Sequence, residues 1–262
     1  MFGKRSFMDR DVEAFHIQCW SWLLRHDQSG DFEQTPLVLP TAEFFPASET
    51  EGHERAAYIL GHVLEHARMG NWPVELVPQQ ELAGRVGLLA TVQNVGNPAG
   101  TFCNEGNSGR ISYDPGLIDQ PIPLIAVFAH ELGHYLCSAF QDPPPGGWDL
   151  NEPATDVAAC FLGFGIFGAN ASFEYSKFAD HDVQGWQTRK LGYITEAEWV
   201  FNLAIFCALR EIDIEATKSY LKPHLFSEAR RASKYVLKQA IVSEIRADAA
   251  PVDGTEQTYQ TS

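Results

Sequence analysis

Nowhere in this sequence do the roughly 18 apolar residues needed to cross a bilayer run together, so no membrane span is expected. The opening stretch MFGKRSFMDRDVEAF carries basic residues without a continuous apolar segment behind them. That excludes the pattern of a secretory leader and makes a cytoplasmic location the expectation. Basic residues are scarce: 19 Lys and Arg stand against 34 Asp and Glu, a formal charge of -15. A surface of that sign repels phosphate backbones and anionic lipid, so nucleic acid is not an expected partner. Cysteine is sparse as well. Cys19, Cys103, Cys137, Cys160 and Cys207 are odd in number and lack CxxC spacing, and three of them sit inside apolar helical runs. They read as reduced core residues, which excludes a disulfide framework and a zinc knuckle. The chain also lacks an internal repeat.

What is abundant is core material: 45% of the 262 residues are hydrophobic and 12% aromatic, ample for one large domain or two small ones. An amphipathic segment, DVEAFHIQCWSWLLRH, and a loop rich in proline and acids form an N-terminal arm over residues 1–50. From Glu54, apolar residues at 56, 59, 60, 63, 64 and 67 mark one helical face, with Gly70 as its expected stop. WPVELVPQ, GLLATVQNVG, GTFCNEG and GRISYD are short β-like pieces punctuated by Gly, Asn and Pro, the pattern of a small antiparallel or mixed sheet. Residues 122–140 are apolar on nearly all sides, as in a helix that runs through a core. A second apolar helix, EPATDVAACFLGFGIFGA, follows with Asn151 as its expected cap and Pro153 in its first turn. Thr195 to Glu198 form a capping box for a further helix, and IEATKSYL and FSEARRASKYVLKQAIVSEI complete a helical C-terminal half. The expected class is α+β. Residues 51–246 would form one domain, split at 145/146 into a sheet-containing half and a helical half, with 247–262 as a disordered tail.

Within the core-type helix stands His130-Glu131-Leu132-Gly133-His134. Side chains at i and i+4 share a helix face, so both imidazoles can address one metal ion while Glu131 sits about a quarter turn away. That is the layout of a zinc hydrolase, in which an activated water loses its proton to the adjacent carboxylate. Two histidines in so apolar a helix are costly to bury unless something such as a metal satisfies them. A third ligand is needed. The metzincin pattern would place glycine where Cys137 stands and histidine where Phe140 stands, so it does not apply. Downstream, Asn151-Glu152-Pro153-Ala154-Thr155-Asp156 puts Glu152 and Asp156 on one face by the same spacing.

HELGH followed by NEPATD resembles the gluzincin metallopeptidases, whose thermolysin-like members join HExxH to an NExxSD-type second helix. Membrane-bound gluzincins carry a similar ExxxD. The resemblance covers roughly residues 100–170. It implies a zincin-like fold and one Zn2+ held by His130, His134 and Glu152. It further implies Glu131 as general base and Asp156 as the carboxylate that orients a ligating histidine. Asp156 as the ligand, with Glu152 serving the helix macrodipole, stays open. Such peptidases also use a His, Tyr or Arg to stabilise the oxyanion; His181, Tyr193 and His224 are the unranked candidates.

Two other motifs compete. His62-Val63-Leu64-Glu65-His66 is the inverted zinc motif, but its histidines flank the apolar face of their helix, where water is expected to satisfy them. Gly163, Gly165 and Gly168 fit the dinucleotide fingerprint, with Asp180 and Asp182 downstream, yet they lie inside an apolar helix and do not follow a strand. Close packing of that helix on the HELGH helix is their expected role. The expected function is zinc-dependent hydrolysis of peptide bonds in a peptide or protein substrate, with residues 100–114 supplying an edge strand for it. The alternatives are a gluzincin-like protein that docks a partner without cleaving, and a zinc hydrolase of a non-peptide amide.

Overall fold

The structure is a computed structural model that describes residues 6–27, 29–79, 100–105, 108–178 and 194–250. Helix α1, Arg10–His26, opens at Asp9, whose carboxylate accepts the amides of Asp11 and Val12, and it ends in the basic pair Arg25 and His26. Its inner face buries Phe15, Cys19, Trp20 and Leu23, so this helix of the arm belongs to the main core. Helix α2, Gly52–His66, buries Ala56, Ile59, Leu60 and Val63. It stops before Gly70, because Arg68 takes the left-handed conformation (φ 62°) that glycine was expected to supply.

Strands β1 (Val74–Pro78), β2 (Gly100–Glu105) and β3 (Ser108–Tyr113) form one mixed sheet in the order β1-β3-β2. β2 and β3 make an antiparallel hairpin, with Gly100 opposite Tyr113, whereas β1 runs parallel to β3, with Leu76 opposite Ile111. A parallel neighbour needs a long crossover. The β-like piece GLLATVQNVG and the stretch 179–193 lie outside the described residues.

Helix α3, Pro121–Ser138, carries the two histidines and packs on β2 and β3 on one side and on α4, Asn151–Ala159, on the other. A π-helical turn, Cys160–Phe164, joins α4 to α5, Gly165–Phe178. Gly163 has φ 96° there, and a Cβ on it would lie 2.2 Å from the Pro36 carbonyl oxygen. The bend therefore seats the loop after α1, whose Val38 amide donates to the Gly163 carbonyl. The other two glycines of the fingerprint face elsewhere than expected. Gly165 abuts Leu203 and Gly168 abuts Trp199, both on the next helix and neither on α3. The helical stretch Trp148–Ser172 is long and apolar enough to cross a membrane, but its most apolar part is almost wholly buried inside the protein.

Helix α6, Glu196–Leu209, opens with the expected capping box at Thr195 and Glu198 and is buried along nearly its whole length. Helix α7, Pro223–Lys238, packs on it, and α8, Ile241–Ala249, begins after Ala240 turns left-handed (φ 56°). Residues 247–249 of the expected tail close α8, which buries Ile241 and Ile245 against the core, and residues 251–262 lie outside the described residues. The architecture is α+β, a small sheet laid on one helix of a larger helical assembly around one hydrophobic cluster. Four cysteines are buried in it, whereas Cys103 is exposed on β2, which corrects its reading as a core residue.

Candidate metal centre

One helical turn on α3 separates His130 from His134, and their rings stand 4.7 Å apart at 88°. Each presents Nε2 to the same oxygen, Oε2 of Glu152, at 3.3 Å. Glu152 reaches them because α3 and α4 approach closely: a Cβ on Gly133 would sit 2.7 Å from the Thr155 carbonyl oxygen. No side chain fits at that crossing. Asp156, which the sequence left open as the third ligand, faces the opposite ring nitrogen, its Oδ1 lying 2.8 Å from His130 Nδ1. Asp156 is buried, and its second oxygen accepts the Ile194 amide at 3.0 Å.

His134 is held in the same manner by other groups. Thr155 Oγ1 lies 3.1 Å from His134 Nδ1, and its hydroxyl donates to the Asn151 carbonyl, which leaves the oxygen free to accept the imidazole proton. Asn151 Nδ2 lies 3.3 Å from the same nitrogen, where its amide would have to present the oxygen to share that proton with Thr155. Asn151 is therefore not the helix cap that the sequence suggested. Leu150 occupies the cap position, no side chain caps the helix, and Asn151 is drawn into the site by His134. With both Nδ1 atoms engaged, both Nε2 atoms face inward toward Glu152, the orientation that a metal ligand requires.

Glu131 lies beside this cluster with only 4% of its surface exposed, and its Oε2 has no hydrogen-bond partner. Strand β2 presses on it: a Cβ on Gly100 would be 2.9 Å from Glu131 Oε1 and 2.5 Å from Val127. Burial pushes the Glu131 carboxyl above its usual range, against the pull of His130 and His134. Burial also pushes Asp156 up, against its hydrogen bond from His130. For His130, burial disfavours the charged ring, but the bonded carboxylates of Asp156 and Glu152 outweigh it and hold the pKa well above the usual imidazole value. Burial works on Glu152 too, yet the two imidazoles prevail and hold it well below the usual carboxylate range. Three carboxylates around two imidazoles make a cluster that seeks positive charge.

His130, His134 and Glu152 can hold a metal ion: their ligand atoms all lie within 4.8 Å of one another, and among the described residues no other such group occurs. The orphaned oxygen of Glu131 fits that reading, since a buried carboxylate oxygen without a partner is costly unless a ligand meets it. Compared with known proteins, the chain matches no family model, no curated protein and no solved structure. The site's own geometry thus carries the reading.

The remaining candidates fall away from the centre. His66 Nε2 donates to the Phe44 carbonyl, 2.8 Å away, so protein and not water satisfies it, and His62 lies 3.7 Å from Glu65. His224 is exposed and pairs with Glu196 at 3.2 Å, outside the small cavity of about 30 Å3 beside His130 and Glu131. That cavity is walled by Ala126, Val127, Ile194 and Trp199 among others. His181 and Tyr193 lie outside the described residues. Sequence reasoning missed Asn151, Thr155 and the Ile194 amide. The first two were readable as a second i, i+4 pair within NEPATD, one residue out of step with Glu152 and Asp156. A backbone amide 38 residues from its acceptor leaves no sequence signal.

Proposed function

We propose that the chain is a zinc-dependent metallopeptidase with a zincin-like core of the gluzincin type. One observation carries the reading: two imidazole Nε2 atoms meet a single carboxylate oxygen beside a buried, unpartnered glutamate. Ligands about 2.0–2.1 Å from a tetrahedral centre are separated by about 3.3 Å, which is the distance from Glu152 Oε2 to each Nε2. His130, His134 and Glu152 would hold the ion, and with three protein ligands one position stays open for chemistry. Bound there, Zn2+ supplies Lewis acidity toward a carbonyl and lowers the pKa of water to about 7.

The chain's own groups do the rest. Asp156 and Thr155 would take the Nδ1 protons of His130 and His134 in hydrogen bonds, so that both rings stay turned with Nε2 toward the ion they would hold. Glu131 accepts a proton at Oε2 and returns it to the leaving amine, and burial shifts its pKa upward, the direction that suits a base working near neutrality. Among the described residues β2 is an edge of the sheet and passes directly over Glu131 at Gly100, so an extended peptide added to that edge would lie across the site. A peptide analogue found bound away from residues 100–114 would remove that part of the proposal.

A second reading is a metal-holding protein that docks a partner without cleaving it, a partner that a formal charge of -15 would require to be basic. Metal analysis combined with Glu131→Gln separates the two. A peptidase retains about one zinc per chain in the variant and loses cleavage of casein or a peptide library by about 100-fold or more. Zinc binding with no cleavage by the wild type supports docking, and absence of zinc from the wild type defeats both.

A further inference from the structure

The polar side chains buried between α1 and α6 form one connected chain that ends on the metal centre. Trp20 Nε1 donates to Asn202 Oδ1 at 3.0 Å, which turns the Asn202 amide nitrogen toward His16 Nδ1 at 3.1 Å. His16 is fully buried. With Nδ1 accepting, its proton lies on Nε2, 3.2 Å from Glu198 Oε1. The other oxygen of Glu198 accepts both the amide (2.8 Å) and the hydroxyl (2.6 Å) of Thr195. The preceding amide, that of Ile194, donates to Asp156 Oδ2, and Asp156 Oδ1 meets His130 Nδ1. Two successive amides of one turn are thus held by two acids, one belonging to α6 and the other to the site.

We infer that Glu198, braced by His16 from α1, is a positioning residue of the metal centre: it fixes the Ile194–Thr195 turn whose amide orients Asp156 and, through it, His130. A capping box alone would explain the Thr195 contacts. It does not require a buried histidine on a helix 182 residues away in sequence, nor an asparagine and a tryptophan to fix that histidine's tautomer. Asp156 needs the Ile194 amide because a buried carboxylate with one free oxygen could rotate away from His130. Loosening the turn would leave the three ligands in place while disturbing the orientation of one of them.

The inference rests on the metal reading, and zinc affinity with the visible spectrum of the Co2+-loaded protein tests it without reference to activity. Glu198→Gln places an amide nitrogen against either Thr195 or the His16 proton, and His16→Leu removes the brace. Each is expected to weaken zinc binding by several fold up to about 10-fold and to change the Co2+ bands; partners bonded directly to a ligand are worth 10–100-fold. His16→Gln can donate to Glu198 and accept from Asn202, and should restore both readouts. Val236→Ala, at a buried position of α7 that takes no part in these hydrogen bonds, controls for lost stability and should change neither. Wild-type affinity and spectrum in Glu198→Gln and His16→Leu, or an equal loss in Val236→Ala, overturns the inference. A wild type that binds neither metal fails one step earlier and takes the metal reading with it.

Discussion

Thr155 shows how much one hydroxyl can decide. It donates to Asn151 and accepts from His134, so its oxygen sets which nitrogen of that ring carries the proton. Thr155→Val keeps the shape and removes the acceptor. Zinc affinity measured against a chromophoric chelator should fall about 10–100-fold, and an unchanged affinity would mean that the Thr155 oxygen does not orient the ring. Glu198 offers a second measurement at this scale. Burial would raise its pKa, but the hydrogen bonds from His16 and Thr195 bring it down to about 2 from 4.5. A folded-state pKa below the unfolded one stabilises the protein above pH 4.5, and the contribution is lost as pH falls toward 2. Urea unfolding should show Glu198→Gln less stable than wild type by on the order of 3 kcal/mol at pH 7. The gap should narrow below pH 4.5, and a gap independent of pH would show that the carboxylate's charge is not its source.

The helices were far more legible than the joints between them. The period of apolar residues marks α2, the capping box at Thr195 and Glu198 marks α6, and the all-round apolar character of residues 122–140 marks α3. Places where tertiary contact overrides local preference left no mark: left-handed Arg68 and Ala240, the π turn at Cys160–Phe164, and the parallel pairing of β1. The site divides in the same way. His130, Glu131, His134, Glu152 and Asp156 form local patterns, whereas the amide that holds Asp156 comes from another element. The glycines at these crossings make opposite predictions. Gly133→Ala drives a Cβ into the Thr155 carbonyl at 2.7 Å, on backbone that cannot swing aside, and should cost about 1–3 kcal/mol and weaken zinc binding. Gly61, mid-way along α2, has nothing within 4 Å of the added atom, so Gly61→Ala should gain about 0.5–1 kcal/mol. Calorimetry should therefore move the two melting temperatures in opposite directions, and a fall for Gly61→Ala would contradict the open space seen there.

For the molecule as a whole, a formal charge of -15 and a centre with three carboxylates set metal binding and folding in the same direction. The ligands come from α3 and α4, so an ion that binds only the folded arrangement adds its binding free energy to stability. At a free zinc concentration about 100 times the dissociation constant this amounts to about 2.7 kcal/mol. At about 2–4 °C per kcal/mol for a chain of this size, the melting temperature should rise by about 5–10 °C over the protein held in chelator. Mg2+ at the same concentration should do much less, because it takes oxygen ligands and gives up its water reluctantly. The double variant His62→Ala, His66→Ala should keep the zinc-dependent rise and Glu152→Ala should lose most of it. If Glu152→Ala melts with the wild-type increment, zinc is collecting on the acidic surface and not between these two helices.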